Sequence, residues 1–479
     1  MSGEQSVTRQ ASTLIVGRVV GFAFAFALPL VLARIFSQDD FGLYKQLFLI
    51  HATLATTLTF GFSASLFYFV PHHADERNQY VSQTLLALVV LALAGAGVLV
   101  ALKAQVARVL NDAALEAYIP YLAAVTGLWL ITTFLESLMI ILKQAKVAAA
   151  TGLGSEILRA GLMIGAAALT HSMYVLVLAA LAWASCRVIA LLLYLRKMGM
   201  PLWTRPEWRR LVEQARYAFP FGLALILATL AATLHQYVVS HLYTPALFAI
   251  YSVGYLQIPI VAIAFESVSD VTLVRLTELR KSGMLAEAAH LIGDSVTNLS
   301  LVFLPLYVWL FISARELIVL LFTDRYAASI VVFRVFLAEI PFTALTLAYV
   351  PRAFADTGFI LRVSALLLIL SALLLGALAP FGLVGAAIAS VLAGAITKGF
   401  ILLRVKRLLQ VSFLQLLPWR RLGLIAAASL IAAVPAWAVQ AGAPFGVVTR
   451  LLLSGALGAL CYGAMAWKGS LIGPEQKRS

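Results

Sequence analysis

Seven basic residues interrupt long apolar stretches of this 479-residue chain: Arg18, Lys45, Arg159, Arg187, Arg334, Lys398 and Arg450. A charge at that depth costs about 2.5–3.5 kcal/mol on insertion scales and marks a path for a substrate or an ion. A guanidinium fork binds planar oxyanions with two parallel bonds, whereas a lysine ammonium acts as a point charge. Four acidic residues, Glu136, Glu266, Asp270 and Glu339, lie in or near the same stretches and are able to carry a proton or meet Na⁺. The chemistry these residues offer is charge recognition.

Each has a structural reading beside the functional one. Glu156 and Arg159 are three residues apart and can neutralise each other on one helix face. Lys45 and Arg450 lie close enough to an outer edge to snorkel, and Arg187 and Lys398 can reach partway to the inner one. Glu266 and Asp270 form one i,i+4 stripe. Arg18 has no acidic partner within its own apolar run, so it and Arg159 lead the list of substrate ligands.

The elements that position these charges are membrane helices. Hydrophobic residues make up 62% of the chain and charged residues 12%, where a soluble domain is about half apolar and a quarter charged. Mean hydropathy is +0.97. Such a chain cannot cover its surface with polar groups, so its solvent is lipid. At about 20 apolar residues per crossing, the sequence predicts an all-α polytopic membrane protein of about fourteen spans: 12–34, 44–70, 81–102, 118–142, 147–169, 174–195, 217–240, 246–270, 291–313, 328–350, 359–379, 383–403, 421–440 and 446–467. The segments are long and continuously apolar rather than alternating, which excludes a β-barrel. The first span is too long for a signal-peptide core and has no cleavage site after it, so it reads as retained.

Orientation follows from basic residues in the loops. With the N-terminus inside, Arg34, Lys103, Arg108, Arg315 and Arg325 fall outside, seven lie within spans, and the remaining 23 of 35 fall inside. That bias predicts cytoplasmic termini and a multi-pass protein of a bacterial inner membrane. An anionic inner leaflet accounts for the net charge of +14, with no nucleic-acid partner required.

The chain also repeats itself. Arg34-Ile35-Phe36-Ser37 followed by Phe41-Gly42-Leu43-Tyr44 recurs as His241-Leu242-Tyr243-Thr244 followed by Phe248-Ala249-Ile250-Tyr251. Asn111-Asp112 corresponds to Thr323-Asp324, Lys143 to Arg352, and Arg187 to Lys398. The order and near-constant offset predict two six-helix lobes related by a parallel repeat, with a substrate path between them. The expected plan is an N-lobe over 1–195, a basic cytoplasmic linker over 196–216, a C-lobe over 217–404, and two appended helices with a tail over 405–479. The segment 275–290, with Leu276, Leu279 and Leu285 among Arg275, Arg280 and Lys281, reads as an amphipathic interfacial helix.

With this plan, the phrase Leu32-Ala33-Arg34-Ile35-Phe36-Ser37-Gln38-Asp39-Asp40-Phe41-Gly42-Leu43-Tyr44 resembles the polysaccharide-transport (Wzx-like oligosaccharide flippase) branch of the multidrug/oligosaccharidyl-lipid/polysaccharide exporter superfamily. Tyr217-Ala218-Phe219-Pro220, Thr244-Pro245-Ala246 through Tyr251, and Glu316 through Tyr326 are similar to that family's second-lobe phrases. The resemblance implies translocation of an undecaprenyl-diphosphate-linked oligosaccharide to the periplasmic leaflet, for O-antigen, capsule or exopolysaccharide synthesis. It implies a polysaccharide polymerase as a further partner and no cofactor. The diphosphate then needs cations, for which Arg18, Arg159, Arg187, Arg334, Lys398 and Lys45 are the candidates. Glu136, Glu266 and Asp270 are the candidates for ion coupling.

Other classes fit less well. The outer loops near 103–117 and 314–327 hold no paired carboxylates, and the sequence offers no metal-ligand cluster, phosphate-cradling glycine loop or Ser/His/Asp constellation. A glycosyltransferase or polymerase is therefore not expected, nor any enzyme. A cation-coupled multidrug exporter of the same superfamily has a twelve-helix plan and would favour acidic membrane-embedded charges. A lipid II flippase would want a cation in span eight, where this chain has Glu266 and Asp270.

Overall fold

The structure is a computed structural model that describes residues 21, 23–442 and 444–468. All regular elements among the described residues are helical. Among the described residues twelve helices are long and apolar enough to cross a membrane, or 13 when one bent pair is counted as a span. The shorter apolar helix α1 (Ala23–Ile35) is the described part of the first expected span. Arg18 lies outside the described residues.

By its contacts the chain divides into two compact units, Met1–Ala249 and Ile250–Ser479. The first contains α1, α2 (Gln38–Thr57), α3 (Phe62–His72), α4 (Arg77–Ala101), α5 (Lys103–Val109), α6 (Leu115–Ile131), α7 (Leu135–Ile141), α8 (Ala145–Thr170), α9 (Met173–Lys197) and α10 (Trp208–Leu242). The boundary falls within α11 (Pro245–Gly254). The second continues with α12 (Pro259–Lys281), α13 (Leu285–Ile312), α14 (Ala314–Phe322), α15 (Ser329–Leu337), α16 (Glu339–Ala344), α17 (Tyr349–Ala353), α18 (Thr357–Leu378), α19 (Leu383–Leu409), α20 (Phe413–Leu416), α21 (Trp419–Gly442) and α22 (Val447–Lys468).

The repeated phrases turn out to be helix starts. Ser37 caps α2, its hydroxyl accepting the Asp40 N–H at 3.1 Å, and Asp39 and Asp40 place negative charge on the first turn. Both features satisfy the unpaired N–H groups and positive end of a helix. In the second copy Thr244 precedes α11, and Pro245 opens it with a pre-set φ and no N–H to leave unpaired.

Backbone geometry carries the repeat further. Asn111, Lys143, His171 and Gly199 all adopt positive φ, and so do Thr323, Ala355, Gly382 and Gln410. Each pair is 211 or 212 residues apart, and each residue sits where a helix ends and the chain reverses. The partner of Lys143 is therefore Ala355 rather than Arg352, three residues away. A left-handed residue terminates a helix by turning its N–H back onto an open carbonyl, so the signal lies in the backbone and is invisible in residue type.

Two expected elements take a different form. The segment 275–290 is not a separate interfacial helix: it comprises the end of α12, a turn at Gly283 (φ +72°), and the start of α13. Leu276 and Leu279 are buried against Ala288, Ala289 and Ile292, so their apolar face is used inside the unit. Span eight is interrupted. The α11–α12 pair bends by 50° where residues 255–258 leave the helix.

In the first unit α10 begins at Trp208, within the basic segment expected as a linker. Its 35 residues reach about 52 Å at 1.5 Å per residue, well past the roughly 30 Å hydrocarbon core. The protruding turns are held by side chains: Arg210 pairs with Glu76 at 2.7 Å and Glu207 at 3.0 Å. Fully buried Gln214 donates to Ser65 Oγ and Thr84 Oγ1, both at 2.8 Å. In the second unit α21 and α22 pack on α13. Gln440 joins them by donating to Ser313 Oγ and Ser454 Oγ at 3.0 Å each.

The turn between α5 and α6 contains an unusual acid. The Ala114 N–H donates to Asp112 Oδ1 at 2.9 Å, while Oδ2 is buried without a partner. Burial raises the Asp112 carboxyl above the usual aspartate range, against the lowering effect of that N–H and with a smaller push from Asp39. A folded pKa above the unfolded one means that the folded state binds the proton more tightly. The associated stability is present at low pH and is lost as pH rises through that interval. Asp112→Asn keeps the Oδ1 acceptor, so it is expected to raise the thermal midpoint at neutral pH. The gain should vanish by about pH 3.5, below both titrations; a gain that persists there would refute the assignment.

Candidate functional site

The first unit brings three of the candidate charges together. The α6–α7 break places Thr132 and Glu136 beside α9, and α8 presents Ser155, Glu156 and Arg159 to the same face. Arg187 of α9 pairs with Glu136 at 2.9 Å. Its Nε donates to Thr132 Oγ1 at 3.1 Å and its Nη1 to Ser155 Oγ at 2.9 Å. The guanidinium thereby has a partner on three sides. Its side chain is 11% exposed, and that of Glu136 27%.

One turn along α8, Arg159 donates to Glu156 through Nη2 at 2.5 Å and Nε at 3.1 Å. Its guanidinium lies 5.7 Å from the ring centroid of Trp183, within cation–π range. The Trp183 indole N–H in turn donates to the carbonyl and hydroxyl of Ser155, both at 3.0 Å. Ser155 and Trp183 thus join the two arginines into one polar cluster. Gly21 abuts it, since a Cβ built there would stand 3.9 Å from Glu156 Cγ.

The neutralising reading of Glu156 and Arg159 is therefore realised as an ion pair. The pair still shows partial exposure, 17% for the arginine and 32% for the glutamate, so an anion would compete with Glu156 for the guanidinium. Lys45, also in this unit, lies over the Phe41 ring at 5.4 Å and forms no ion pair among the described residues. Nearby, His51 contacts Thr126 Oγ1 at 3.0 Å and the edge of Trp129.

In the second unit the candidates separate. Arg334 donates to the Phe311 carbonyl at 3.2 Å and lies over the Phe311 ring at 5.2 Å, so it caps the end of α13. Glu266 and Asp270 are exposed along α12. Lys398 lies on α19, half-buried and within electrostatic range of Glu339. Asp356 pairs with Arg404 at 2.7 Å, and the Thr397 hydroxyl donates to the Ala393 carbonyl.

Sequence reasoning had no route to Thr132, Ser155 and Trp183. They are ordinary residues for a membrane helix, and only the packing of α7, α8 and α9 shows that they hold a cation. Among the described residues no three His, Cys, Asp or Glu side chains come together as a metal site.

The sequence profile of a family described as polysaccharide biosynthesis protein matches residues 31–331. In structure the chain is similar to the lipid II flippase MurJ in an inward closed conformation, at 14% identity, with 97% of this chain and 100% of that one covered and a TM-score of 0.75. It is also similar to a multidrug resistance MATE family transporter of the MOP superfamily in an inward-facing conformation, at 12% identity, 83% and 98% coverage, and a TM-score of 0.65. A MOP superfamily transporter from Pyrococcus furiosus matches at 13% identity, 84% and 95% coverage, and a TM-score of 0.57. At these identities the likeness is one of fold. No curated protein matches the chain in sequence.

Proposed function

Given that the chain belongs to the polysaccharide biosynthesis protein family, we propose that it is a flippase for an undecaprenyl-diphosphate-linked oligosaccharide. It would act by alternating access in a bacterial inner membrane, with both termini cytoplasmic, and hand its cargo to a polysaccharide polymerase. The observation that carries this reading is the cluster of Arg159, Arg187, Glu136 and Glu156 inside membrane-spanning helices of a chain from that family. A sugar headgroup loses its water hydrogen bonds in hydrocarbon at roughly 2–7 kcal/mol per unsatisfied group, and a polar cluster at depth replaces them. Arg159 is the diphosphate ligand: its guanidinium is partly exposed and shares its charge with a single carboxylate.

The second unit also offers an apolar surface to lipid. An apolar cavity of about 420 Å³ opens among α13, α21 and α22, lined by Leu301, Pro305, Trp309, Ala432, Gly458 and Tyr462. Hydrocarbon is the natural occupant of such a space in a bilayer.

The test is to extract lipids from a strain lacking the gene and identify carrier-linked species by mass spectrometry. A completed oligosaccharide should accumulate on the carrier and be cleared by the wild-type chain. Arg159→Ala should lower clearance about tenfold or more, the loss of one charge-assisted contact worth about 1.5–3 kcal/mol. Accumulation of lipid II instead would change the substrate. An unchanged carrier pool with new sensitivity to cationic dyes would replace the flippase with a drug exporter.

A further inference from the structure

Arg187 and Lys398 occupy matching places in the two units, 211 residues apart, like the helix-ending residues around them. Their surroundings do not match. At the same offsets, Thr132, Glu136, Ser155 and Trp183 correspond to Ala344, Ala348, Leu366 and Gly394. The counterparts of Glu136, Ser155 and Trp183 thus carry no polar side chain, Thr343 stands one residue before that of Thr132, and a Cβ built on Gly394 meets nothing within 4 Å. The nearby carboxylate, Glu339, corresponds to Gly127. It stands nine residues, or about 13 Å of helix rise, from the place that Glu136 occupies in the first unit. The first unit closes its cation into an ion pair at 2.9 Å. Glu339 and Lys398 interact across space without closing to an ion pair, and among the described residues no side-chain hydrogen bond holds either group.

Glu339 also lines a cavity of about 280 Å³ at the break between α11 and α12. Tyr255, Leu256, Gln257 and Ile258, the residues that leave the helix, line it as well, and Gln257, Thr343 and the Tyr255 hydroxyl are its other polar groups in an otherwise apolar lining. The Gln257 amide donates to the Tyr255 hydroxyl at 3.1 Å there. Non-helical backbone is tolerated at membrane depth where it lines a polar, watered space, and such breaks hold coupling ions. At about 30 Å³ per water, the cavity has room for several.

We propose that Glu339 is a proton-exchange site, and that its charge state decides whether Lys398 is neutralised or available to an anion. The carboxylate takes a proton from cavity water and returns it to water. While it is protonated, the Lys398 ammonium has no carboxylate beside it to compensate its charge. The charged and titratable groups that face Glu339 are Lys398 from α19 and Tyr251 and Tyr255 from the α11 side. The inference adds a driving ion to the flippase reading and rests on it for its purpose. Its test needs no sugar lipid, so either can fail alone.

Dicyclohexylcarbodiimide reacts with carboxylic acids that are protonated and sheltered from bulk water. Purified full-length protein would be treated with it in choline chloride and in sodium chloride, and adducts mapped by peptide mass spectrometry. Glu339 should be modified, with yield falling about tenfold between about pH 5.5 and about pH 9. Glu136, held by Arg187, should stay unmodified in the same molecules. Lys398→Met removes the cation that favours the carboxylate, so modification should persist to higher pH. Modification of Glu339 no greater than that of Glu136, or a pH profile unmoved by Lys398→Met, would overturn the proposal. Protection by sodium but not choline would also overturn it, by making the site one for Na⁺.

Discussion

Gly42→Ala is expected to prevent the protein from accumulating in the membrane in folded form. Gly42 lies one turn into α2, and a Cβ built on it would collide with the Pro245 carbonyl oxygen and stand 2.5 Å from its carbonyl carbon. No side chain can rotate away, because the obstacle is backbone. That backbone belongs to a proline with a fixed φ at the start of α11. Overpacking costs 1–3 kcal/mol where neighbours can shift, and here the cost should reach about 3 kcal/mol or more because they cannot. The control is Gly97→Ala in α4, where an added Cβ meets nothing within 4 Å. That change should be neutral or stabilise by up to about 1 kcal/mol through helix propensity. Fluorescence-detected size exclusion and a thermal midpoint on both variants check this. Equal behaviour of the two would mean that α2 and α11 are not in backbone contact.

Arg187→Met should be the most damaging single change within the polar cluster, and Glu136→Gln in the same chain should recover much of the loss. Removing one member of a partly buried ion pair leaves the other uncompensated, at about 3–5 kcal/mol when burial is complete. With Glu136 27% exposed, solvent screening reduces that to about 2 kcal/mol. Thr132 Oγ1 and Ser155 Oγ lose their donor as well, so recovery by Glu136→Gln should be incomplete. A double-mutant cycle on thermal unfolding in detergent measures the coupling directly. Strict additivity would show that the pair seen in the structure contributes nothing to stability.

The second unit differs from the first by a small change in where its carboxylate stands. The cation keeps its place on the sixth helix of the repeat, while the carboxylate moves along its span from the level of Glu136 to that of Glu339. What changes is distance, and with it the difference between a closed ion pair and a pair that faces a cavity.

The membrane class, the number of spans to within one or two, and the parallel repeat were all legible in the residues alone. Lipid imposes its demand on every span separately: about 20 apolar residues in a row, whatever the neighbours. The intramembrane charges could be named for the same reason, since each is costly in its own span.

Their partners could not be named. Glu136 and Arg187 are 51 residues apart, and Ser155 and Arg187 32. Nothing in either stretch distinguishes Ser155 from the other small residues of α8. The break in span eight was hidden as well, because residues 255–258 remain apolar enough to read as continuous helix. Sequence by itself determined which segments enter the membrane and which charges go with them, because that cost is paid residue by residue. Tertiary structure alone decided which charges meet, because a charge in hydrocarbon is stabilised only by a partner within a few ångströms, and helix packing sets that distance.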